Sequence, residues 1–311
     1  MTAPMRAPMT DNARSAALMV VAMLAFVVND AFMKLLADEV PLFQAIFLRG
    51  LGVSVVILAL AWRMGALRLP QGRRDRRLLG LRTLGEVGAA GFFLNALFNM
   101  PLANATAILQ SLPLAMTLAG ALVLGEKVGV RRWSAVAVGF LGVLLIVRPG
   151  AEGFTIHSLS AMAAVACVTL RDLSTRLLDA SVPSLSVAVV AAVSAPVVFG
   201  GVALVPGLGG AWVMPPAAAW GALAGATVAL VAGYQLSVMM MRLGEVSVIA
   251  PFRYTSLLWA LLLGVLVFGD WPDGLTLAGA ALVVGAGSFT LWRGARKGAT
   301  AALQPPTDPS R

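Results

Sequence analysis

The sequence predicts an all-α integral membrane protein, with ten transmembrane helices arranged as two inverted five-helix repeats around a central cavity. Three observations predict this fold class: ten long apolar runs, a one-sided distribution of basic residues between them, and an internal repeat. The 311-residue chain is 59% hydrophobic and only 12% charged, and its mean hydropathy is +0.88. Since soluble domains carry about 25% charged residues, this composition indicates a membrane environment.

The apolar runs have the length that a bilayer requires, because a helix needs about 20 residues to cross the hydrocarbon core. The predicted spans are 15–36, 42–62, 78–99, 102–124, 130–148, 158–179, 184–206, 216–241, 244–269 and 272–293. Residues 1–14 are expected to form a cytoplasmic N-terminal segment. Residues 294–311, with three prolines near their end, are expected to form a disordered cytoplasmic tail.

Basic residues between the spans predict the orientation, because cytoplasmic loops retain Lys and Arg. With the N-terminus inside, 17 of these residues lie in inner segments, and the outer loops hold only Arg148. The inner ones are Arg6, Arg14, Arg63, Arg68, Arg73, Arg74, Arg76, Arg77, Lys127, Arg131, Arg132, Arg176, Arg242, Arg293, Arg296, Lys297 and Arg311. We therefore expect a multi-pass protein of the bacterial inner membrane with both termini in the cytoplasm.

Several classes of protein are disfavoured. The net charge is +9, but the basic residues lie in short loops rather than on one soluble face, so nucleic acid is not expected as a partner. The only cysteine is Cys167 and the only histidine is His157, which argues against disulfides, metal sites and histidine-based triads. Walker A and Gly-x-Ser-x-Gly motifs do not occur. We expect no enzyme, cofactor or metal, but a monomer or homodimer in lipid with a small-molecule substrate.

Two parts of the chain repeat one pattern of an acid, a base, two leucines and a proline. Positions 142 residues apart match, namely Asp30, Lys34 and Pro41 with Asp172, Arg176 and Pro183. Gly125-Glu126 likewise recurs as Gly269-Asp270, 144 residues later. The alternative is that short leucine-rich matches arise by chance in apolar sequence.

The repeat divides the chain into two halves, 15–148 and 158–293, with five predicted spans each. Because five is odd, the second half must enter the membrane upside down relative to the first. Secondary transporters use such inverted repeats for alternating access to a site near the bilayer midplane.

Five motifs stand out along the chain. They are Asn29-Asp30-x3-Lys34, the run from Ala105 through Leu112-Pro113 to Gly125-Glu126, Gly139-x2-Gly142 with Arg148-Pro149, Ala250-Pro251-Phe252-Arg253-Tyr254, and Phe268-Gly269-Asp270-Trp271-Pro272-Asp273. These motifs resemble those of the drug/metabolite transporter superfamily, whose members carry EamA-type repeats. The Pro-Phe-Arg-Tyr stretch is similar to the branch of S-adenosylmethionine uptake carriers. Riboflavin carriers and amino-acid exporters belong to the same superfamily. The resemblance implies ten helices around a central cavity, with spans five and ten at the periphery. Asp270 departs from the more usual glutamate.

Charged residues inside the spans are the main functional signal, since each costs about 2.5–3.5 kcal/mol near the bilayer centre on insertion scales. They are Lys34, Arg49, Arg82, Arg171 and Arg253 with Asp30, Glu86 and Asp172. Such residues tend to face a cavity or to pair with one another.

Two of these charges recur as pairs one helical turn apart, where side chains can touch. The pair Asp30 and Lys34 lies near the outer end of the first span, and Asp172 and Arg176 lie near the inner end of the sixth. We interpret them as parts of an outer and an inner gate. Alternatively, each pair is a local salt bridge that neutralises a helix end.

Arg253 and Tyr254 follow Pro251 within span nine and are candidate substrate-binding residues. Proline breaks in membrane helices are tolerated beside cavities, and a guanidinium suits carboxylates, phosphates and flat rings. Arg253 is alternatively locked in a pair with Glu86. Glu86 itself lies one turn from Arg82, and either couples transport to protons or forms a structural ion pair.

Further candidates for the binding site are polar or aromatic residues in the spans. Asn95, Asn99, Asn104 and Gln110 line the cavity or hydrogen-bond between helices. Arg49 faces the cavity or a neighbouring carboxylate. Trp259 stacks on a planar ligand or packs in the core.

These observations predict a carrier that moves a small organic solute by alternating access. The leading substrates are a vitamin or a nucleoside-like metabolite taken up by the cell, such as S-adenosylmethionine or riboflavin. Export of amino acids or drugs is the alternative, and a non-transporting membrane enzyme or subunit is the other class.

Overall fold

The computed structural model describes residues 9–64, 72–126, 129–147, 155–179, 181–205, 207, 210–243 and 250–302, and none of these residues lies in a strand. Its helices are α1 (Met9–Leu35), α2 (Leu42–Arg63), α3 (Arg73–Asn99), α4 (Leu102–Leu109), α5 (Leu112–Val123), α6 (Val130–Val147), α7 (Ile156–Leu177), α8 (Ser184–Ala203), α9 (Ala217–Leu243), a 3-10 turn at Ala250–Tyr254, α10 (Thr255–Phe268) and α11 (Gly274–Ala302).

The described helices form ten rods at the places of the ten apolar runs, which confirms the all-helical prediction. Helices α4 and α5 are one rod broken at Gln110 and Ser111, and the 3-10 turn leads directly into α10. Six rods are long and apolar enough to cross a membrane, and shorter apolar helices lie at Trp133–Val147, Phe252–Phe268 and Gly274–Phe289. The chain is therefore an all-α protein of the membrane type.

The ends of the bundle differ from the sequence prediction. Helix α1 begins at Met9, inside the predicted N-terminal segment, and α11 continues to Ala302, where a disordered tail was predicted from residue 294. Alanine is the best helix former, and residues 294–302 contain four alanines, which favours this extension. Residues 303–311, Arg148 and the first six residues of the predicted ninth span lie outside the described residues.

Helix packing follows a paired pattern. Helix α1 packs along α9 and α3 packs along α7, while α2 packs against α8 and α6 against α11. Glycines allow these backbones to approach closely: a Cβ atom on Gly85 would lie 2.7 Å from the carbonyl oxygen of Cys167 on α7. Such contacts are typical of membrane helices, where small residues permit close packing.

A proline in α8 is accommodated by a serine from α2. Pro196 has no N–H, so the carbonyl of Ala192, four residues earlier, lacks its helical donor. The Ser54 hydroxyl lies 2.7 Å from that carbonyl oxygen and 2.7 Å from the Gly50 carbonyl oxygen of its own helix. Since one hydroxyl proton serves one acceptor at a time, the orphaned Ala192 carbonyl is the acceptor that needs it. This bond ties α2 to α8.

We expect Ser54→Ala to lower the free energy of unfolding by about 1 kcal/mol, because it leaves the buried Ala192 carbonyl without a donor. Thermal unfolding of the detergent-purified protein measures the change. Ser194→Ala is the matched control, since the Ser194 hydroxyl bonds only a carbonyl of its own helix, that of Ala191. In a Pro196→Ala background, the loss of unfolding free energy caused by Ser54→Ala should be smaller, because alanine restores the N–H donor that the Ala192 carbonyl lacks. An equal loss in both backgrounds would contradict this role of Ser54.

Two helices end in the same turn. The residue after α5 is Leu124, and the next, Gly125, has φ 64°, while the residue after α10, Gly269, has φ 69°. The following amides reach back six residues, from Glu126 to the Gly120 carbonyl at 3.1 Å and from Asp270 to the Gly264 carbonyl at 2.9 Å. Both helices thus end in a left-handed residue, a conformation that favours glycine because it has no Cβ atom. The two turns stand 144 residues apart and each presents an acidic side chain.

Candidate functional site

Helices α3 and α7 bring four charged side chains together in the interior. Glu86 lies 3.6 Å from Arg82, one turn away on α3, and 3.7 Å from Arg171 on α7. Arg171 also donates to Asp172 at 2.8 Å. Two donor nitrogens of Arg82 are buried without a hydrogen-bond partner among the described residues. Of these three ion pairs, the one between Arg171 and Glu86 joins α7 to α3.

A second group of polar side chains lies between α1, α2 and α9. The Arg49 guanidinium donates to the Asn29 amide oxygen at 3.3 Å, and the Asn29 amide donates to Asp30 at 2.8 Å. The acids that act most on Arg49 are Asp30 and then Glu86. Asn29 is therefore a bridge between the Arg49 and Asp30 side chains. Of the two alternatives predicted for Arg49, the cavity or a neighbouring carboxylate, the structure has Arg49 facing the Asp30 carboxylate.

Arg253 lies at the break between the 3-10 turn and α10. Its backbone carbonyl accepts from the Gln110 amide at 3.1 Å, and Gln110 also donates to the Ser256 hydroxyl at 2.8 Å. Gln110 itself lies at the break between α4 and α5, so the two broken rods meet at this bond. Backbone groups freed by a break need such partners in a membrane.

Arg253 is exposed in the structure, and Asp172 and Arg171 are the charges that act on it most. Tyr234 is 45% exposed. Among the described residues, no ion pair or hydrogen bond holds the Arg253 guanidinium, and Glu86 pairs with Arg82 and Arg171 instead. The predicted alternative of an Arg253–Glu86 pair does not occur.

We call the eight side chains of this region the interior polar network. It comprises Asp30, Arg49, Arg82, Glu86, Arg171, Asp172, Tyr234 and Arg253. Of the eight charged residues within spans that form the main functional signal of the sequence, it includes all except Lys34. Sequence reasoning missed Asn29 as a bridge and Tyr234 as a member, although a tyrosine within an apolar span is a detectable signal.

A cavity of about 580 Å³ lies between α2, α3, α7 and α8. Its walls are mostly apolar, with Phe43, Phe92 and Phe199 among them, and Asn95 and Ser160 supply polar groups. The Asn95 amide donates to the Ser160 hydroxyl at 3.0 Å, which joins α3 to α7. Asn95 thus lines a cavity and hydrogen-bonds between helices, the two alternatives that its sequence position offered.

The predicted local pair of Asp30 and Lys34 is replaced by other contacts. The Lys34 ammonium donates to the carbonyls of Met100 at 2.7 Å and Leu97 at 3.3 Å, at the end of α3, and lies 5.4 Å from the centre of the Phe268 ring. Asp270, two residues after Phe268, is the acid that acts on it most. The long lysine side chain reaches the open carbonyls of a helix end, which attract cations.

The second predicted pair, Asp172 and Arg176, is replaced in the same way. Asp172 pairs with Arg171, whereas Arg176 pairs with Glu126 at 2.7 Å, at the turn after α5. Arg176 therefore reaches the turn that ends α5 in the other half of the chain, whereas Lys34 bonds within its own half and lies near Phe268 and Asp270 of the other. Nothing in the sequence spacing indicated these partners.

Three other predicted binding residues have partners away from the interior polar network. The Trp259 indole donates to the Val20 carbonyl of α1 at 3.3 Å and packs in the apolar core. Tyr254 is buried, and its hydroxyl lies against Gly287 of α11. Asn99 is exposed and donates to the Asn95 carbonyl of its own helix at 2.8 Å. The structure uses these three side chains in packing or local bonding.

Comparison with protein families identifies the class of protein. Residues 13–148 match the EamA-like transporter family. The chain thus contains an EamA-like domain, of the drug/metabolite transporter superfamily, which confirms the resemblance seen in its motifs. The family and its relatives indicate a transporter rather than an enzyme.

Curated relatives differ in what their names say they transport. A riboflavin transporter of Vibrio cholerae is 30% identical over 63% of this chain and 64% of its own length, so the chain matches slightly under two thirds of that relative. An S-adenosylmethionine uptake transporter of Rickettsia bellii is 24% identical over 85% of this chain and 88% of its own. A pseudopaline exporter of Pseudomonas aeruginosa is 27% identical over 86% and 92%.

A solved crystal structure has the same fold. It covers 91% of this chain and 99% of its own, with a TM-score of 0.61 and 22% sequence identity. At this identity the likeness concerns the fold alone.

Proposed function

We propose that this transporter moves a small organic metabolite across the bacterial inner membrane by alternating access, through ten crossings arranged as two inverted repeats. The observation that carries the proposal is a set of features at corresponding positions of the two halves. The turns at Gly125 and Gly269 correspond at an offset of 144 residues, and so do the helix breaks at Gln110 and Tyr254. The packing of helices also corresponds: α1 and α7 are the first helices of the two halves, α3 and α9 are the third, and α1 packs on α9 as α7 packs on α3.

The same exchange relates two pairs of charged residues at opposite ends of the bundle. Arg176 of the second half pairs with Glu126 of the first, and Lys34 of the first lies near Asp270 of the second. Helices α3 and α7 are antiparallel, since Ser160 lies beside Asn95 while Arg171 lies beside Glu86. The Arg176 and Lys34 contacts therefore lie at opposite ends. We propose that they are gates that close in alternation.

Asp30 and Asp172 link each gate to the interior. Asp30 lies one turn from Lys34 on α1, and Asp172 lies one turn from Arg176 on α7, so each helix carries an interior acid and a gate base. A shift of α1 or α7 moves both together. Bound substrate in the interior polar network therefore acts on the gates through these two helices, in the manner of a two-state carrier.

The proposed substrate site is the interior polar network, with Arg253, Arg49 and Glu86, and with the amides of Asn95 and Gln110 beside it. Tyr254, Trp259 and Asn99 are left out because their side chains are engaged elsewhere. A vitamin or nucleoside-like metabolite taken up by the cell, such as S-adenosylmethionine or riboflavin, is supported by the names of two relatives. Export is the second candidate, which the pseudopaline exporter favours. The charge distribution supports cytoplasmic termini.

Flux of labelled solute into proteoliposomes that contain only this protein tests transport. We expect Arg253→Ala to lower the initial rate about tenfold or more, because a guanidinium in contact with substrate is lost. Arg63→Ala removes an exposed arginine at the end of α2 and serves as the matched control. Absence of flux for every candidate solute would favour a non-transporting protein, and wild-type flux and affinity in Arg253→Ala would exclude Arg253 from the site.

A further inference from the structure

We infer that the interior polar network binds a negatively charged group of the substrate, a carboxylate or a phosphate, at the Arg253 guanidinium. This inference rests on the proposed transport function and names the chemical class of its cargo. It follows from the charge balance of the network and from the one arginine in it that is both accessible and unpaired.

The described charges of the interior polar network do not cancel. Three acids, Asp30, Glu86 and Asp172, face four arginines, Arg49, Arg82, Arg171 and Arg253, so 4 − 3 leaves one positive charge. Arginine stays protonated in proteins, so this excess cannot be removed by losing a proton. An arginine without an acid partner is the position in the network where a bound anion can pair.

The excess positive charge is accessible at Arg253. Arg82 and Arg171 lie within 3.6 and 3.7 Å of Glu86, and Arg171 also holds Asp172 at 2.8 Å. Arg49 is held through Asn29 and faces Asp30. Within the described part of the chain, the Arg253 guanidinium has no such partner, and Arg253 is exposed.

The surroundings of Arg253 make it suited to a planar anion. Asp172, its neighbouring acid, is already engaged by Arg171, and the Arg253 backbone is fixed by Gln110 at the helix break. A guanidinium presents parallel N–H donors that match the two oxygens of a carboxylate or phosphate, and such charge-assisted bonds are roughly twice as strong as neutral ones. A positioned arginine thus selects substrates by their anionic group.

Binding of matched solute pairs tests the inference. The purified protein is titrated with S-adenosylmethionine and its decarboxylated analogue, and with phenylalanine and phenethylamine, which differ in the same way. We expect the carboxylate member of a pair to raise the unfolding midpoint at a concentration about tenfold lower than its partner. In Arg253→Gln that preference should vanish, while Arg253→Lys should keep part of it. Equal binding of both members, or no stabilisation by any carboxylate member, would overturn the inference.

The protein without ligand provides a second test. Because Arg253 is unpaired, Arg253→Gln should leave the unfolding midpoint unchanged or raise it. Arg171→Gln should lower the midpoint, because it leaves the Asp172 and Glu86 carboxylates short of a partner. A loss of stability in Arg253→Gln as large as that in Arg171→Gln would make Arg253 a structural residue. If the protein in proteoliposomes transports a neutral solute and no anionic one, the proposed transport function stands, but the anionic subsite is refuted.

Discussion

Reversing one charge of the Arg176–Glu126 pair is expected to reduce transport at least tenfold, and reversing both charges to restore most of it. The pair is partly exposed, with side-chain exposures of 57% and 36%. Neutralising it should therefore cost little stability, as for most accessible ion pairs. Reversal of one partner is different, because two like charges then face each other whenever this end of the bundle closes. We expect this repulsion to keep that end of the helix bundle from closing, which stops the transport cycle.

The variants for this test are Glu126→Arg, Arg176→Glu and the double exchange, measured by initial rates in proteoliposomes. Arg131→Glu makes the same change of charge at an exposed position of α6, close in sequence to Glu126, and should transport normally. Unfolding midpoints of all variants show whether they are folded. If the double exchange is no better than either single reversal in folded protein, the pair is not a gate.

Cross-linking gives the same prediction a structural measurement. Glu126→Cys with Arg176→Cys, in a Cys167→Ser background, places two thiols where the pair now stands. Joining the two thiols with a bifunctional methanethiosulfonate cross-linker should stop transport, and reduction, which releases the cross-linker, should restore it. Full transport by the cross-linked protein would contradict alternating closure at this end.

The largest expected loss of stability comes from Gly142 on α6. A Cβ atom there would lie 2.7 Å from the Gly279 carbonyl oxygen and 2.9 Å from the Leu282 Cβ of α11. In return, a Cβ atom on Gly279 would lie 2.6 Å from the Gly142 carbonyl oxygen. Backbone atoms cannot rotate out of the way, so α6 and α11 must separate. We expect Gly142→Ala to cost about 3 kcal/mol, at the upper end for overpacking.

Gly285→Ala is the matched control, because it lies on α11 and a Cβ atom there meets nothing within 4 Å. That substitution should be neutral or slightly stabilising, since alanine favours helix over glycine. The yield of monodisperse protein after heating in detergent measures both. Equal behaviour of the two variants would show that α6 and α11 are not as close as described.

The sequence predicts the helices well because their signals are local. Runs of apolar residues have a length set by the bilayer, and they locate the rods. The interior charges were also detectable one by one, since each is unfavourable in lipid. What spacing could not supply was their partners. Lys34 and Asp30 stand one turn apart, yet Lys34 bonds to carbonyls 63 and 66 residues away.

The candidate site required contacts between distant parts of the chain. Ser54 matters because a carbonyl 138 residues later lacks a donor, and Gln110 because it meets a break 143 residues later. An amide in an apolar run indicates that some partner exists but not which one. Arg253 was detectable from the cost of its charge, whereas its lack of a partner emerges only once the other arginines have been assigned to theirs.

The two glycine turns, after α5 and after α10, hold chemically unequal acids, Glu126 and Asp270. At one end a glutamate meets an arginine, whose planar fork can grip both carboxylate oxygens. At the other, the shorter Asp270 lies near Lys34, whose ammonium donates hydrogen bonds to two carbonyls at the end of α3. In the proposed cycle the two gates are therefore not equivalent: one closes on a direct ion pair, and the other closes on the carbonyls of a helix end.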